Sequence, residues 1–208
     1  MKGVSLVSGG LDSTLMAVLL RDQGFDQVPL FMDYGQLAAK MEWETCNINF
    51  TELDLPSPLK LDLNGFGKLI KSGITDSSKD IMKDAFLPCR NLLFLVAGAS
   101  LAVQTKGSFV SIGLLSEKFA LFPDQKQQFL DSVERTLEVA IDKKIKVLTP
   151  LFDFSKVDVI VLAKELGIGI EKMYSCHKGG KEHCGSCISC KERIDAMKIL
   201  EQLGDGGD

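Results

Sequence analysis

No apolar run in the 208-residue sequence is long enough to span a bilayer, and no basic segment followed by an apolar stretch opens the chain. A soluble, cytoplasmic protein without a membrane partner is therefore expected. Positive charge is in deficit: 24 Lys and Arg against 28 Asp and Glu leave a formal charge of −4, with a pI near 5.3. A broad phosphate-backbone footprint normally needs a basic face, so DNA is not an expected partner. Lys178 and Lys181 are the only suggestive positive pair, and two lysines are more often a solvated loop. Also absent is the Gly-Lys-Ser/Thr ending of an eight-residue phosphate loop, which argues against a kinase or GTPase that cleaves at the terminal phosphate. With 45% hydrophobic residues, the length suits one well-packed unit over residues 1–172, with a small metal knuckle and terminal helix over 173–208 packed on it.

What the chain does have is Ser8-Gly9-Gly10-Leu11-Asp12-Ser13, set between an apolar run (Val4, Leu6, Val7) and a helical pattern (Leu11, Leu15, Val18, Leu19). A strand-to-helix turn of this kind points free backbone N–H groups at one spot. Two glycines let the backbone approach a ligand, and the Ser8 and Ser13 hydroxyls add donors beside the helix N-terminus. Polyphosphate is the natural guest. Asp12 would repel it unless the carboxylate holds Mg²⁺, which reverses the local charge logic. The bland alternative is a glycine-rich turn capped by Ser or Asp.

Cysteine is sparse except at one place. Of six, Cys46 and Cys89 stand alone, whereas Cys176, Cys184, Cys187 and Cys190 fall within fifteen residues. Thiolates three apart with small residues between can wrap a tetrahedral ion, and Cys176 completes the shell. Zn²⁺ fits best. A disulfide framework does not suit the expected compartment, while an iron–sulfur cluster remains chemically open. His177 and His183 flank the cluster and could replace one sulfur. Four sulfurs leave no coordination position for water, so the metal is expected to be structural.

Residues 27–32 read as a second strand, ending at Asp33-Tyr34-Gly35-Gln36. In a parallel sheet this end falls beside the cradle, so Asp33, Gly35 and Gln36 are expected to face the nucleotide, although Gly35 also suits an ordinary turn. Residues 40–49 read as a short helix and 51–55 as a third strand. Residues 56–88 show little periodicity and read as a partly disordered lid, or as a surface excursion without a role. Arg90 and Asn91 start an apolar helix, where a guanidinium can hold a carboxylate through two bonds; Asn91 equally reads as a simple N-cap. Residues 107–113 form another strand. Phe122-Pro123-Asp124 opens a long amphipathic helix to about Ile141, and a further helix spans 155–166. Lys156 near its start is unfavourable against the helix dipole unless an anion is near. A last helix runs over 188–203. Alternating strands and helices with a cradle after the first strand give an α/β doubly wound parallel sheet.

Ser-Gly-Gly-x-Asp-Ser resembles the PP-loop of the ATP pyrophosphatases. Together with Asp33–Gln36, Arg90-Asn91-Leu92-Leu93-Phe94, Phe122-Pro123-Asp124, Lys156 and the cysteine spacing, nearly the whole chain resembles the 7-cyano-7-deazaguanine synthase (QueC-like) family. The resemblance implies an adenine nucleotide alpha hydrolase-like fold, a zinc site and a homodimer. It implies a ligase that uses ATP and ammonia to turn 7-carboxy-7-deazaguanine into the nitrile for queuosine-type biosynthesis. The carboxylate attacks the α-phosphorus, pyrophosphate leaves in the cradle, ammonia displaces AMP, and a second adenylation dehydrates the amide. Residues 8–13 together with Asp33, Gly35 and Gln36 would hold ATP; Asp12, Arg90 and Lys156 would serve the chemistry; Arg90, Asn91, Phe122 and Asp124 would meet the substrate. The chain departs from the family at Leu37, Ala38, Cys89, Leu115, Lys118, Gln125 and Lys126, positions expected to line the base pocket. The alternatives are a paralogue adenylating another carboxylate, such as a peptide or protein terminus, a PP-loop tRNA-modifying enzyme, or a non-catalytic ATP- and zinc-binding scaffold.

Overall fold

The computed structural model describes the backbone of residues 1–204, so the last residues of the expected 173–208 segment lie outside it. Five strands, β1 (Lys2–Val7), β2 (Asp26–Asp33), β3 (Leu59–Asp62), β4 (Phe109–Ser111) and β5 (Lys146–Leu148), form one sheet in the order β3-β2-β1-β4-β5. Every pairing is parallel, with Val4 opposite Val28 on one side and Val110 on the other. The chain builds outward from β1 to β3, then returns to place β4 and β5 on the opposite side. The reversal between β1 and β4 opens a crevice at the carboxyl ends of those strands, where ligands bind in open α/β sheets.

Side chains alternate along the strands and divide the core in two. Val7, Phe31 and Phe109 pack with Leu15, Phe50, Val159 and Ile160 on one face. Val4, Leu6, Leu30, Met32 and Val110 pack with Leu95, Ala99 and Leu130 on the other. The first face is covered by α1 (Leu11–Asp22), α2 (Ala39–Glu52), α6 (Lys156–Glu165) and α7 (Ile188–Gly204); the second carries α4 (Arg90–Gln104) and α5 (Gln127–Ile141). Ala196 of α7 is buried in the first core, so the cysteine segment and terminal helix pack on the same body as the sheet.

Three expectations need correction. Residues 51–55 are not a strand: they finish α2, where Leu55 N–H donates to Phe50 O, and the left-handed Asp54 (φ 52) ends the helix. The third strand lies instead at 59–62, inside the segment read as a partly disordered lid. That segment holds β3 and α3 (Asn64–Leu69), and Ile74, Ala85 and Leu87 anchor it in the second core. The helix expected from Phe122 is broken: Pro123–Gln125 form one 3₁₀ turn, Lys126 is extended, and α5 begins at Gln127. Strand β5, outside these expectations, gave no sequence signal because Lys146-Val147-Leu148 is both short and incompletely buried, whereas the equally short β4 is buried throughout.

Candidate functional site

A cleft of about 310 Å³ opens at the carboxyl ends of β1, β2 and β4. Its floor is the turn leaving β1. Gly9 takes φ +76, and a Cβ there would stand 2.5 Å from the Glu42 carbonyl oxygen, so only glycine lets the turn lie against α2. Gly10 then caps α1 without any side-chain hydrogen bond, leaving the first-turn amides open to an anion. The hydroxyls of Ser8 and Ser13 lie 3.1 Å apart; Ser13 Oγ accepts from Ser8 N–H and donates to Gly10 O. Across the turn, Gly113 follows β4, and a Cβ there would come within 3.2 Å of Ser13 N. The two walls therefore lie in close contact at the helix head.

Lys156, the first residue of α6, reaches the same place. Its Nζ donates to Asp12 Oδ1 and Oδ2 at 2.6 and 2.7 Å, joining the starts of α1 and α6. Ser155 caps α6 and accepts from Asp158 N–H, while the Asp158 carboxylate accepts from Ser155 N–H. The lysine thus projects from a fixed first turn.

Arg90 stands on the β2–α4 side. Its guanidinium carbon is 6.0 Å from the Tyr34 ring centre and 5.9 Å from that of Phe94. Its Nε and Nη2 donate to Asn91 Oδ1 at 3.3 Å, and Asn91 Nδ2 donates to Asp124 O at 3.1 Å. Asn91 is therefore a buried brace between α4 and the 3₁₀ turn rather than a free polar edge. Burial raises the Asp124 carboxyl above its ordinary value, although the Arg90 charge works against that.

Not every expected residue reaches the cleft. Ser8, Gly10, Leu11, Asp12, Ser13, Gln36, Arg90, Asn91, Phe122 and Lys156 line it; Gly9, Asp33, Gly35 and Asp124 do not. Asp33 turns to β3 and pairs with Lys60 at 2.7 Å. Gly35 backs onto α3, where its Cβ would meet Asn64 O at 3.0 Å. Gln36 lines the cleft with its amide already committed: Oε1 accepts from Tyr34 N–H, while Nε2 donates to Met32 O and Glu42 Oε2. A further correction concerns the departures from the family pattern. Of Leu37, Ala38, Cys89, Leu115, Lys118, Gln125 and Lys126, only Gln125 lines the cleft. Its Oε1 accepts from the N–H groups of Leu121 and Phe122 and so shapes the turn.

Sequence reasoning passed over Glu42 and Tyr174 and considered His177 only as a metal ligand; all three line the cleft. Glu42 had a signal: with Cys46, Asn49 and Phe50 it follows helical spacing on the inward face of α2. Burial pushes its carboxyl up to about 7 against the lowering effects of the Gln36 hydrogen bond and the Arg90 charge. His177 had no such signal for the cleft; its buried Nδ1 has no hydrogen-bond partner among the described residues.

The four sulfurs of Cys176, Cys184, Cys187 and Cys190 converge within 4.8 Å of one another. Neither histidine joins them: His177 faces the cleft, and His183 Nε2 accepts from Ser175 N–H. Gly185, at φ +66, turns the chain so that the Ser186 and Cys187 amides donate to Cys184 Sγ at 3.4 and 3.3 Å. Amide donation to sulfur favours the thiolate that a metal requires. Tyr174, packed with Cys176, Cys187 and Cys190, forms part of the cleft wall, so the cluster holds one side of the site in place.

The family of the queuosine biosynthesis protein QueC matches residues 2–201. A 7-cyano-7-deazaguanine synthase of Campylobacter concisus is 31% identical over 95% of this chain and 94% of its own length. One of Methanoculleus marisnigri is 31% identical over 96% and 95%. Among solved structures, a "predicted subunit of tRNA methyltransferase" from Methanocaldococcus jannaschii superposes with a TM-score of 0.56 at 20% identity, over 98% of this chain and 89% of that one. At that identity the last likeness speaks for the fold. The cradle, the Lys156–Asp12 pair and the four-cysteine cluster occur here in a chain matched along nearly its whole length, and the chain belongs to the QueC family.

Proposed function

We propose that this chain is an ATP-dependent carbon–nitrogen ligase that adenylates 7-carboxy-7-deazaguanine and converts it, with ammonia, through the amide to 7-cyano-7-deazaguanine. The observation that carries the reading is the geometry at the head of α1: open amides and two serine hydroxyls beside Asp12 and Lys156, with Arg90 lining the same cleft. No nucleophilic side chain is needed, because the substrate carboxylate is itself the nucleophile. What the protein supplies is position and charge.

The amides of α1 and the Ser8 and Ser13 hydroxyls receive the phosphates of ATP and then the departing pyrophosphate. Asp12 is suited to Mg²⁺, which takes one or two carboxylates together with substrate phosphates. When bound there, the ion would neutralise phosphate charge. Lys156, released from Asp12, would then serve the same phosphates. Arg90, with Nη1 uncommitted among the described residues, orients the substrate carboxylate, and Phe122 covers its ring. Six of the seven departures from the family pattern lie before or beyond the 3₁₀ turn of Pro123–Gln125, and the same six fall outside the cleft wall, which supports an unchanged base over a redirected substrate.

The cysteine cluster fits a structural Zn²⁺. Four thiolates about 2.3 Å from a tetrahedral ion stand about 3.8 Å apart, and the Cys184 and Cys190 sulfurs are 3.9 Å apart. A homodimer in the cytoplasm accords with the family resemblance.

Purified protein is incubated with Mg-ATP, ammonium and 7-carboxy-7-deazaguanine, and AMP and the base are followed by chromatography and mass spectrometry. Acid-dependent AMP with nitrile product is the expected result. AMP formed only with a different carboxylate, such as a peptide terminus, would transfer the assignment to another substrate; no AMP with any acid would leave a binding scaffold.

A further inference from the structure

An amine can attack an acyl adenylate only as the free base, and at neutral pH ammonia is almost wholly ammonium. A group that holds a small cation and removes its proton would raise the supply of nucleophile at the site. Asp12 does not suit this, since Lys156 binds both its oxygens; Asp33 is turned away toward Lys60; and Glu192, which also lines the cleft, already faces the positive charge of Lys156. Glu42 does. It lines the cleft; Oε2 is fixed by Gln36 Nε2 at 2.8 Å, and Oε1 has no hydrogen-bond partner among the described residues. Gln36 is itself locked to β2 through Tyr34 N–H and Met32 O, so the carboxylate is rigidly placed.

We infer that Glu42 docks ammonium in the cleft and accepts its proton, delivering ammonia to the adenylated carboxyl group. This rests on the adenylation reading above. Glu42 as carboxylate takes one proton from ammonium and becomes the neutral acid. The nitrogen lone pair forms the C–N bond, the C–O bond to AMP breaks, and AMP leaves with that electron pair. The new amide nitrogen sheds a second proton, and both protons pass to solvent before the next cycle.

The surroundings suit the role. Asp33 and Tyr34 approach from β2, Cys46 from α2 itself, Arg90 from α4 and Tyr174 from the segment before the cysteine cluster. Burial holds Tyr34 and Cys46 protonated, both pushed up to about 12, and raises Tyr174 further, so Asp33 and Arg90 are the charged neighbours that oppose one another at Glu42. Burial also brings Glu42 to about 7, where it exchanges protons at working pH.

The test separates the two half-reactions in the full-length, metal-loaded protein. Acid-dependent exchange of pyrophosphate into ATP reports adenylation without any nitrogen; amide formation is then measured with ammonium and with hydroxylamine, which is neutral at pH 7. For Glu42→Gln we expect exchange within a few-fold of the parent, kcat/KM for ammonium lowered about 100-fold, hydroxamate formation largely retained, and loss of the rising limb near pH 7 in the ammonium profile. Glu42→Asp keeps the charge and should retain that limb at a lower rate. Equal losses with ammonium and hydroxylamine, or a rising limb in Glu42→Gln whose midpoint stays near pH 7 instead of following free ammonia toward about pH 9, would overturn the assignment. Absence of acid-dependent exchange in the parent protein would instead overturn the adenylation reading, and the role of Glu42 with it.

Discussion

Lys156 and Asp12, 144 residues apart in sequence, share a two-pronged ion pair in which one ammonium bonds both carboxylate oxygens. The pair ties the first turn of α6 to the first turn of α1 and places one positive and one negative charge at the mouth of the phosphate cradle. Asp12→Asn should leave the far-UV spectrum intact and cut pyrophosphate exchange about 100-fold or more, since it removes a charged group from the place where phosphate charge is redistributed. Lys156→Met should give a similar loss. A twofold effect in either variant would show that the pair only bridges two helices.

The cysteine cluster should behave as a structural element. Elemental analysis is expected to return one zinc per chain without visible absorption; a brown protein with iron would reassign the cluster. Chelation, or Cys187→Ser at a fully buried sulfur, should lower the melting temperature and enlarge the mobility of the Tyr174 side of the cleft, with activity falling in parallel. Cobalt replacement, read by its absorption spectrum, checks the tetrahedral sulfur environment.

Cys89 sits just before α4 in the left-handed conformation, at φ 61 and ψ 13. An L side chain pays a steric penalty there that glycine does not. Cys89→Gly is expected to stabilise the protein by about 1 kcal/mol, less what the more flexible unfolded chain takes back, measured by urea denaturation. Because Cys89 is exposed and outside the cleft wall, kcat should change little.

Glu42 also makes a prediction about stability. Its carboxyl rises from an ordinary 4.5 to about 7 in the folded protein, so between these values the folded state binds more protons than the unfolded one. Stability is then lost as pH rises from about 4.5 to about 7 and stays low above. Glu42→Gln should remove that slope and be the more stable protein at pH 8, by on the order of 2 kcal/mol. Parallel denaturation curves of the two proteins from pH 5 to 8 would show no Glu42 contribution.

The sequence by itself determined the class of fold, the glycine-bearing turn after β1 and the clustering of four cysteines that could hold a metal. These features are local: the cradle is a glycine-bearing turn between one strand and one helix, and the cysteine spacing carries its own geometry. The helices at 90–104 and 156–165 were legible for the same reason, through apolar periodicity and end signals. What the tertiary structure alone decided depends on partners distant in the chain. Strand β3 alternates as Leu59-Lys60-Leu61-Asp62, but it is only four residues long on an exposed edge paired to β2 alone, too short to stand out in a segment that reads as a partly disordered lid or a surface excursion; Ile74 and Leu87 fasten that segment to the core. Asp33 and Gln36 lie three residues apart, yet the first turns to Lys60 and the second to the cleft, because Asp33 is the last residue of β2 and the chain turns through Gly35 at φ 85 before Gln36. Likewise, no local pattern could place Lys156 on Asp12 or set Glu42 within reach of Arg90. Those meetings follow from the crossover of a doubly wound sheet, which gathers the starts of α1, α4 and α6 at one end of the molecule.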